Sequence, residues 1–232
     1  MGLKSKIILN SLLGGAGGFM GWALTEYLLR GFYRVPWDQH AWHETVIANA
    51  KIGVLTGLLI GGALGIADAL WSRSPARFRR TVILAAIAGA IGGFVGLAIG
   101  QSAFNSFTPE SGRHNAVSFA LLVIGHAVGW GLFGAALGAA QGLVGPSAVR
   151  AKHGAIGGLI GGFIGGMTFA VTPYLLVGGN DNYGGTSRMV SLTLTGFTIG
   201  LMIGLAQDLL KQAWVVVLKG NNEGREIPIY KP

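Results

Sequence analysis

Three observations predict an all-α integral membrane protein, with six transmembrane helices built as three repeated glycine-rich hairpins and a short C-terminal β-hairpin. The first is composition: 232 residues with a mean hydropathy of +0.55, 51% hydrophobic residues and only 11% charged ones. The second is glycine, present 41 times, far above globular usage. In lipid no solvent competes for the backbone and close helix approach is rewarded, so glycine is tolerated there. The surrounding Leu, Ile, Val and Phe are too many for a disordered chain. The third is repetition. A string reads GGAGGFMG at Gly14–Gly21, GAIGGFVG at Gly89–Gly96 and GLIGGFIG at Gly158–Gly165. A looser string falls between the copies, as GGALGIAD at Gly61–Asp68, GAALGAAQ at Gly134–Gln141 and GLMIGLAQ at Gly200–Gln207. Alternation at a period near 70 residues indicates one two-helix unit used three times.

The spans are placed at 7–29, 47–71, 82–104, 117–144, 154–178 and 190–211, each near the ~20 apolar residues that cross a bilayer. The first is too long for a signal-peptide core, so it is read as a retained helix. Spans one, three and five carry the Gly-Gly-Phe string and spans two, four and six the looser one. The bundle is then 1–211, with repeats 7–71, 82–144 and 154–211. Successive hairpins point the same way, as parallel repeats about an axis along the membrane normal.

Glycines four apart line one helix stripe and let a neighbour approach closely. On the first, third and fifth spans these are Gly14, Gly17, Gly18, Gly21, Gly89, Gly92, Gly93, Gly96, Gly158, Gly161, Gly162 and Gly165. Gly61, Gly65, Gly134, Gly138, Gly200 and Gly204 serve the intervening spans. The bland reading, packing of the bundle's own helices, outweighs an oligomerisation surface or a pore.

Loop charge orients the chain. Lys4, Lys6, Arg73, Arg77, Arg79, Arg80, Arg150, Lys152 and the tail crowd one side; Arg30, Arg34, Arg113 and Arg188 are spread over the other. Both termini are expected in the cytoplasm, beneath a bacterial-type inner membrane. The net charge of +8 is then this bias and not a nucleic-acid surface, while Arg73, Arg77, Arg79 and Arg80 can meet anionic lipid headgroups. Trp37, Trp42 and Tyr33 fit a segment lying at the outer interface.

Ionisable or polar groups in apolar runs mark sites by default: Glu26, Lys51, Asp68, His126, Gln141 and Asp208. Asp68 and Asp208 are expected to pair with Arg73 or Lys211 at headgroup level, and Glu26 with Lys51. His126 in IGHAVGW is the only histidine in a span. It offers an axial ligand to haem or a pigment, with Gly129 leaving room for a macrocycle, but no other span supplies a second ligand. A hydrogen-bonded interior histidine is the stronger expectation. His40 and His43, with Asp38 and Glu44, form a weak metal pattern. Cysteine is absent, and no phosphate loop, nucleophile elbow or HExxH string occurs. No metal or cofactor other than lipid is expected, and no enzyme.

After Lys211-Gln212 the pattern changes to AWVVVLKG, a turn NNEGRE, and IPIY. A β-branched run, an Asn/Gly turn and a second apolar run make a hairpin, too small to fold alone. The string WVVVLKGNNEGREIPIYKP resembles the opening strands of a forkhead-associated (FHA) domain, through Val215–Leu218, Gly220, Glu223, Gly224, Arg225 and Glu226. The resemblance implies that 213–232 begins a cytosolic β-domain continuing beyond this sequence, whose phosphothreonine-binding Gly-Arg loop and Ser-x-x-His motif lie further on. The expected function is a non-enzymatic anchor, accessory or scaffold subunit. It would pack into a larger membrane complex, with other membrane subunits, lipids and, through the FHA part, phosphothreonine proteins as partners. A small channel or transporter is the alternative, and a pigment- or haem-associated subunit a distant third.

Overall fold

The computed structural model describes residues 3–33, 41–70, 75–107, 116–144, 148–177, 184–209, 213–216 and 226–229. Seven helices occupy the first six of these segments: α1 (Leu3–Leu28), α2 (Arg30–Tyr33), α3 (Trp42–Ala69), α4 (Pro75–Phe107), α5 (Ala116–Val144), α6 (Ala148–Val177) and α7 (Gly184–Leu209). All but α2 are long and apolar enough to cross a membrane, with spans Ser5–Leu28, His43–Ala69, Pro75–Ser102, Phe119–Ala140, Ala151–Thr172 and Arg188–Ala206. The chain is an integral membrane protein. Several helices outrun the apolar stretches that announced them. α4 starts at Pro75, seven residues before the expected 82, because proline suits a first helical position and Arg77, Arg79 and Arg80 are exposed there.

The long helices close a ring in the order α1, α3, α4, α5, α6, α7, with α7 returning to α1. Contacts across the ring join α3 to α5 and α5 to α7, so α3, α5 and α7 are the inner helices. α1, α4 and α6 lie outside and carry most of the exposed large apolar side chains.

The geometry explains the spacing of the Gly-Gly-Phe string. On α1, Gly14 and Gly18 face α7, against Gly196 and the Leu192 carbonyl, while Gly17 and Gly21 face α3 at Ile60 and Thr56. On α4, Gly89 and Gly93 face Gly57 and Gly53 of α3, and Gly92 and Gly96 face Leu137 and Phe133 of α5. On α6, Gly158 and Gly162 face Gly134 and Trp130 of α5, and Gly161 and Gly165 face Ile199 and Thr195 of α7. Two glycine pairs, offset by three residues, thus let one outer helix sink between two inner ones. The motif phenylalanines Phe19, Phe94 and Phe163 point outward, 45%, 51% and 42% exposed. They belong to the apolar outer face of the bundle.

On the inner helices, Gly61 and Gly65 meet Ala85 of α4, Gly138 meets Gly154 of α6, and Gly200 and Gly204 meet Asn10 and Ile7 of α1. The contacts set Gly57, Gly134 and Gly196 at one level and Gly61, Gly138 and Gly200 at the next. Gly61 therefore corresponds to Gly138, one helical turn beyond the Gly134 with which the looser string aligns it. Sequence alone misplaces the middle copy because glycines four apart look alike. Gln141 consequently does not share the level of Asp68.

The axis is filled. Ile60, Leu137 and Ile199 hold corresponding places on the three inner helices, and each is 0% exposed. They belong to one buried cluster with Leu64, Phe133 and Ile203. Beyond α7, β1 (Ala213–Val216) and β2 (Glu226–Ile229) pair antiparallel, Ala213 opposite Ile229 and Val216 opposite Glu226. Most of the FHA-like turn, with Gly220, Glu223, Gly224 and Arg225, lies outside the described residues.

Candidate functional site

The most elaborate polar arrangement among the described residues joins the first long helix to the last. Arg188, early in α7, meets Glu26, near the end of α1, through a forked contact. Nη2 donates to Oε1 at 2.8 Å and to Oε2 at 3.0 Å, and Nε donates to Oε2 at 3.1 Å. The guanidinium also lies 3.9 Å from the centroid of the Tyr33 ring on α2, in a cation–π contact. The Arg188 side chain is 18% exposed and that of Glu26 33%. Gly185 leaves space beside the carboxylate, since a Cβ there would sit 3.4 Å from Glu26 Oε1. Burial pushes the Tyr33 phenol up to about 12; Arg188 lowers it, Glu26 raises it, and a hydrogen bond with Thr25 lowers it.

Glu26 is therefore not paired with Lys51, as their positions in the first hairpin had suggested. Arg188 reaches it because ring closure brings α7 beside α1, a neighbour relation invisible along the chain. Lys51 is exposed on α3.

Hydroxyls occupy the interior below this pair. Thr56 donates to Ile52 O at 2.6 Å and Ser11 to Ile7 O at 2.7 Å, the usual way a helix absorbs such a group. Thr198 Oγ1 lies 3.1 Å from Thr195 O on its own helix and also crosses to Gly161 O on α6 at 2.8 Å. Ser191 Oγ, Thr195 Oγ1 and Trp22 Nε1 are buried with no hydrogen-bond partner among the described residues.

His126 Nδ1 lies 2.9 Å from Leu122 O on its own helix. Its ring stacks on Phe169 at 5.3 Å, and Phe169 also meets Trp130 at 5.3 Å. The space beside Gly129 is taken by Gly100 of α4, so it offers no room for a macrocycle. Asp68 is exposed near the end of α3. Gln141 and Asp208 lie in α5 and α7, but their side chains, like Arg73, Lys211, Asp38 and His40, are outside the description. His43 is exposed, and among the described residues no group of acidic or histidine side chains could hold a metal ion.

Some packing residues have a readable signal that the strings above do not capture. Gly100, Gly154, Gly157 and Gly166 each lie four residues from a motif glycine, Gly53 lies eight from Gly61, and all five meet another helix. Arg188 gave none beyond its charge. No protein-family model matches the chain, and no curated protein or solved structure matches it.

Proposed function

We propose that the chain is a non-enzymatic membrane scaffold: three glycine-seamed hairpins closed into a ring, packing into a larger membrane assembly and presenting an FHA-like recognition domain at its basic end. The observation that carries this reading is the filled axis, where Ile60, Phe133, Leu137 and Ile199 are each 0% exposed. A conduit needs a wettable path with polar groups along it. In this reading both termini lie in the cytoplasm of a bacterial-type cell, with Arg77, Arg79 and Arg80 at the anionic headgroups of that leaflet. The short link from α7 to β1, Leu209 to Ala213, supports mechanical coupling between bundle and domain. Partners are then other membrane subunits on the bundle and phosphothreonine proteins on the domain.

The test extracts the protein in native lipid discs and measures the mass of the particle. A complex of fixed stoichiometry is expected; a lone chain would count against the scaffold. A channel is the second reading, favoured by the unpartnered hydroxyls of Ser191 and Thr195 on α7. Purified protein in sealed vesicles decides it. The scaffold predicts no ion flux above empty vesicles, and flux would replace this reading with the channel.

A further inference from the structure

Where α1 and α3 part, a crevice of about 470 Å³ opens sideways from the bundle. It is lined by Leu28 at the end of α1 and Leu29 just after it, by Val54 and Leu55 among the residues of α3, and by Phe94 of α4. Every lining residue is apolar except Lys51.

The sequence explains why the crevice lies there. In the α4–α5 hairpin, Gly96 meets Phe133, and one turn further on Gly100 meets Gly129, closing the helices. In the α1–α3 hairpin, Gly21 meets Thr56, but the residues one turn on are Thr25 and Ile52. Both are buried, at 1% and 7% exposed. Their side chains hold apart what two glycines would bring together, and the α1–α3 seam is the least extensive of the ring.

Lys51 stands within the span His43–Ala69, and a cation at such a position calls for a counter-charge. The nearby carboxylate of the first hairpin, Glu26, is already held by Arg188. Lys51 has no ion-pair partner among the described residues. It lies about 7.5 Å along α3 from Thr56 toward the headgroups at 1.5 Å per residue, and a lysine stem extends its ammonium further by snorkelling.

We propose that this crevice is a binding site for one anionic phospholipid, an acyl chain lying over Leu55 and Val54 and the phosphate paired with Lys51. The site lies at the end of the bundle opposite Arg77–Arg80, so it is separate from the general attraction of that basic end for anionic lipid. It does not depend on the scaffold reading.

The experiment uses the full chain, stripped of lipid in detergent and given phosphatidylglycerol or phosphatidylcholine with the same chains. Native mass spectrometry then counts the molecules retained. One phosphatidylglycerol is expected to survive, held more firmly than phosphatidylcholine. Lys51→Gln should lower its retention roughly fivefold, the scale of one lysine–anionic lipid contact. Leu55→Trp puts an indole into the crevice lining and should remove retention of both lipids. Leu194→Trp, on the exposed face of α7, should change nothing. Should Leu55→Trp fail to fold, Lys51→Gln, a change at an exposed side chain, still decides. Equal retention by wild type and Lys51→Gln, or equal affinity for the two lipids, would overturn the proposal and leave only a shell of bulk lipid.

Discussion

At the scale of single residues, the glycines separate into those with no room and those with some. A methyl group on Gly134 would collide with the Gly158 carbonyl, and one on Gly57 with the Gly89 carbonyl. Those atoms are helix backbone and cannot step aside. Gly134→Ala should destabilise the bundle by about 1–3 kcal/mol or more, as overpacking does, whereas Gly62→Ala, whose Cβ would meet only Ala86 Cβ at 3.5 Å, should be near neutral. Thermal unfolding in detergent compares the two, and equal losses would contradict the seam geometry. For the pair that joins α1 to α7, Glu26→Gln and Arg188→Met should each cost about 1.5–3 kcal/mol, the range for hydrogen bonds to charged groups. The double variant should cost less than the sum; full additivity would show that the pair contributes nothing as a pair. Tyr33 adds a pH dependence. Its phenol is raised to about 12 from an ordinary value of 10.0, so the folded state keeps a proton that the unfolded chain releases. This contribution is fully present below pH 10 and is lost as pH rises through about 12. Tyr33→Phe should flatten stability across that window, and a profile unchanged by the substitution would refute the assignment.

At the scale of elements, six long helices were legible because lipid demands long apolar runs, and each run here is bounded by polar loops. The Gly-Gly-Phe string showed which glycines share a stripe. Which neighbour each stripe serves was not legible: Gly17 and Gly18 are adjacent in sequence yet face α3 and α7 respectively. Nor could spacing separate Gly134 from Gly138 as the counterpart of Gly61. The pairing of Glu26 with Arg188, 162 residues apart, needs the ring closed before it can be seen, so local proximity pointed instead to Lys51. Closure can be checked directly in this cysteine-free chain. A Cβ on Gly15 would stand 3.4 Å from Phe197 Cβ, near the spacing of a disulfide. Oxidised Gly15→Cys/Phe197→Cys protein should carry an intramolecular bridge between α1 and α7. Gly62→Cys/Ala86→Cys, at 3.5 Å between α3 and α4, is the positive control. A bridge in the control alone would mean that the ring is open.

For the whole molecule, the arrangement is three inner helices around a solid axis and three outer helices sunk into the grooves between them, with phenylalanines turned to lipid. Glycine brings the backbones together, so van der Waals contact takes the role that the hydrophobic effect has in water. Such a body resists opening, which suits a platform better than a passage. The dry axis separates those two roles, and thiol accessibility measures it most directly. Single cysteines at Ile60, Leu137 and Ile199, in membranes and exposed to a small membrane-impermeant thiol reagent from both sides, should all stay unlabelled until the protein is denatured. Rapid labelling of these positions in the folded protein would reveal a water-filled path along the axis, and the scaffold account would give way to a channel.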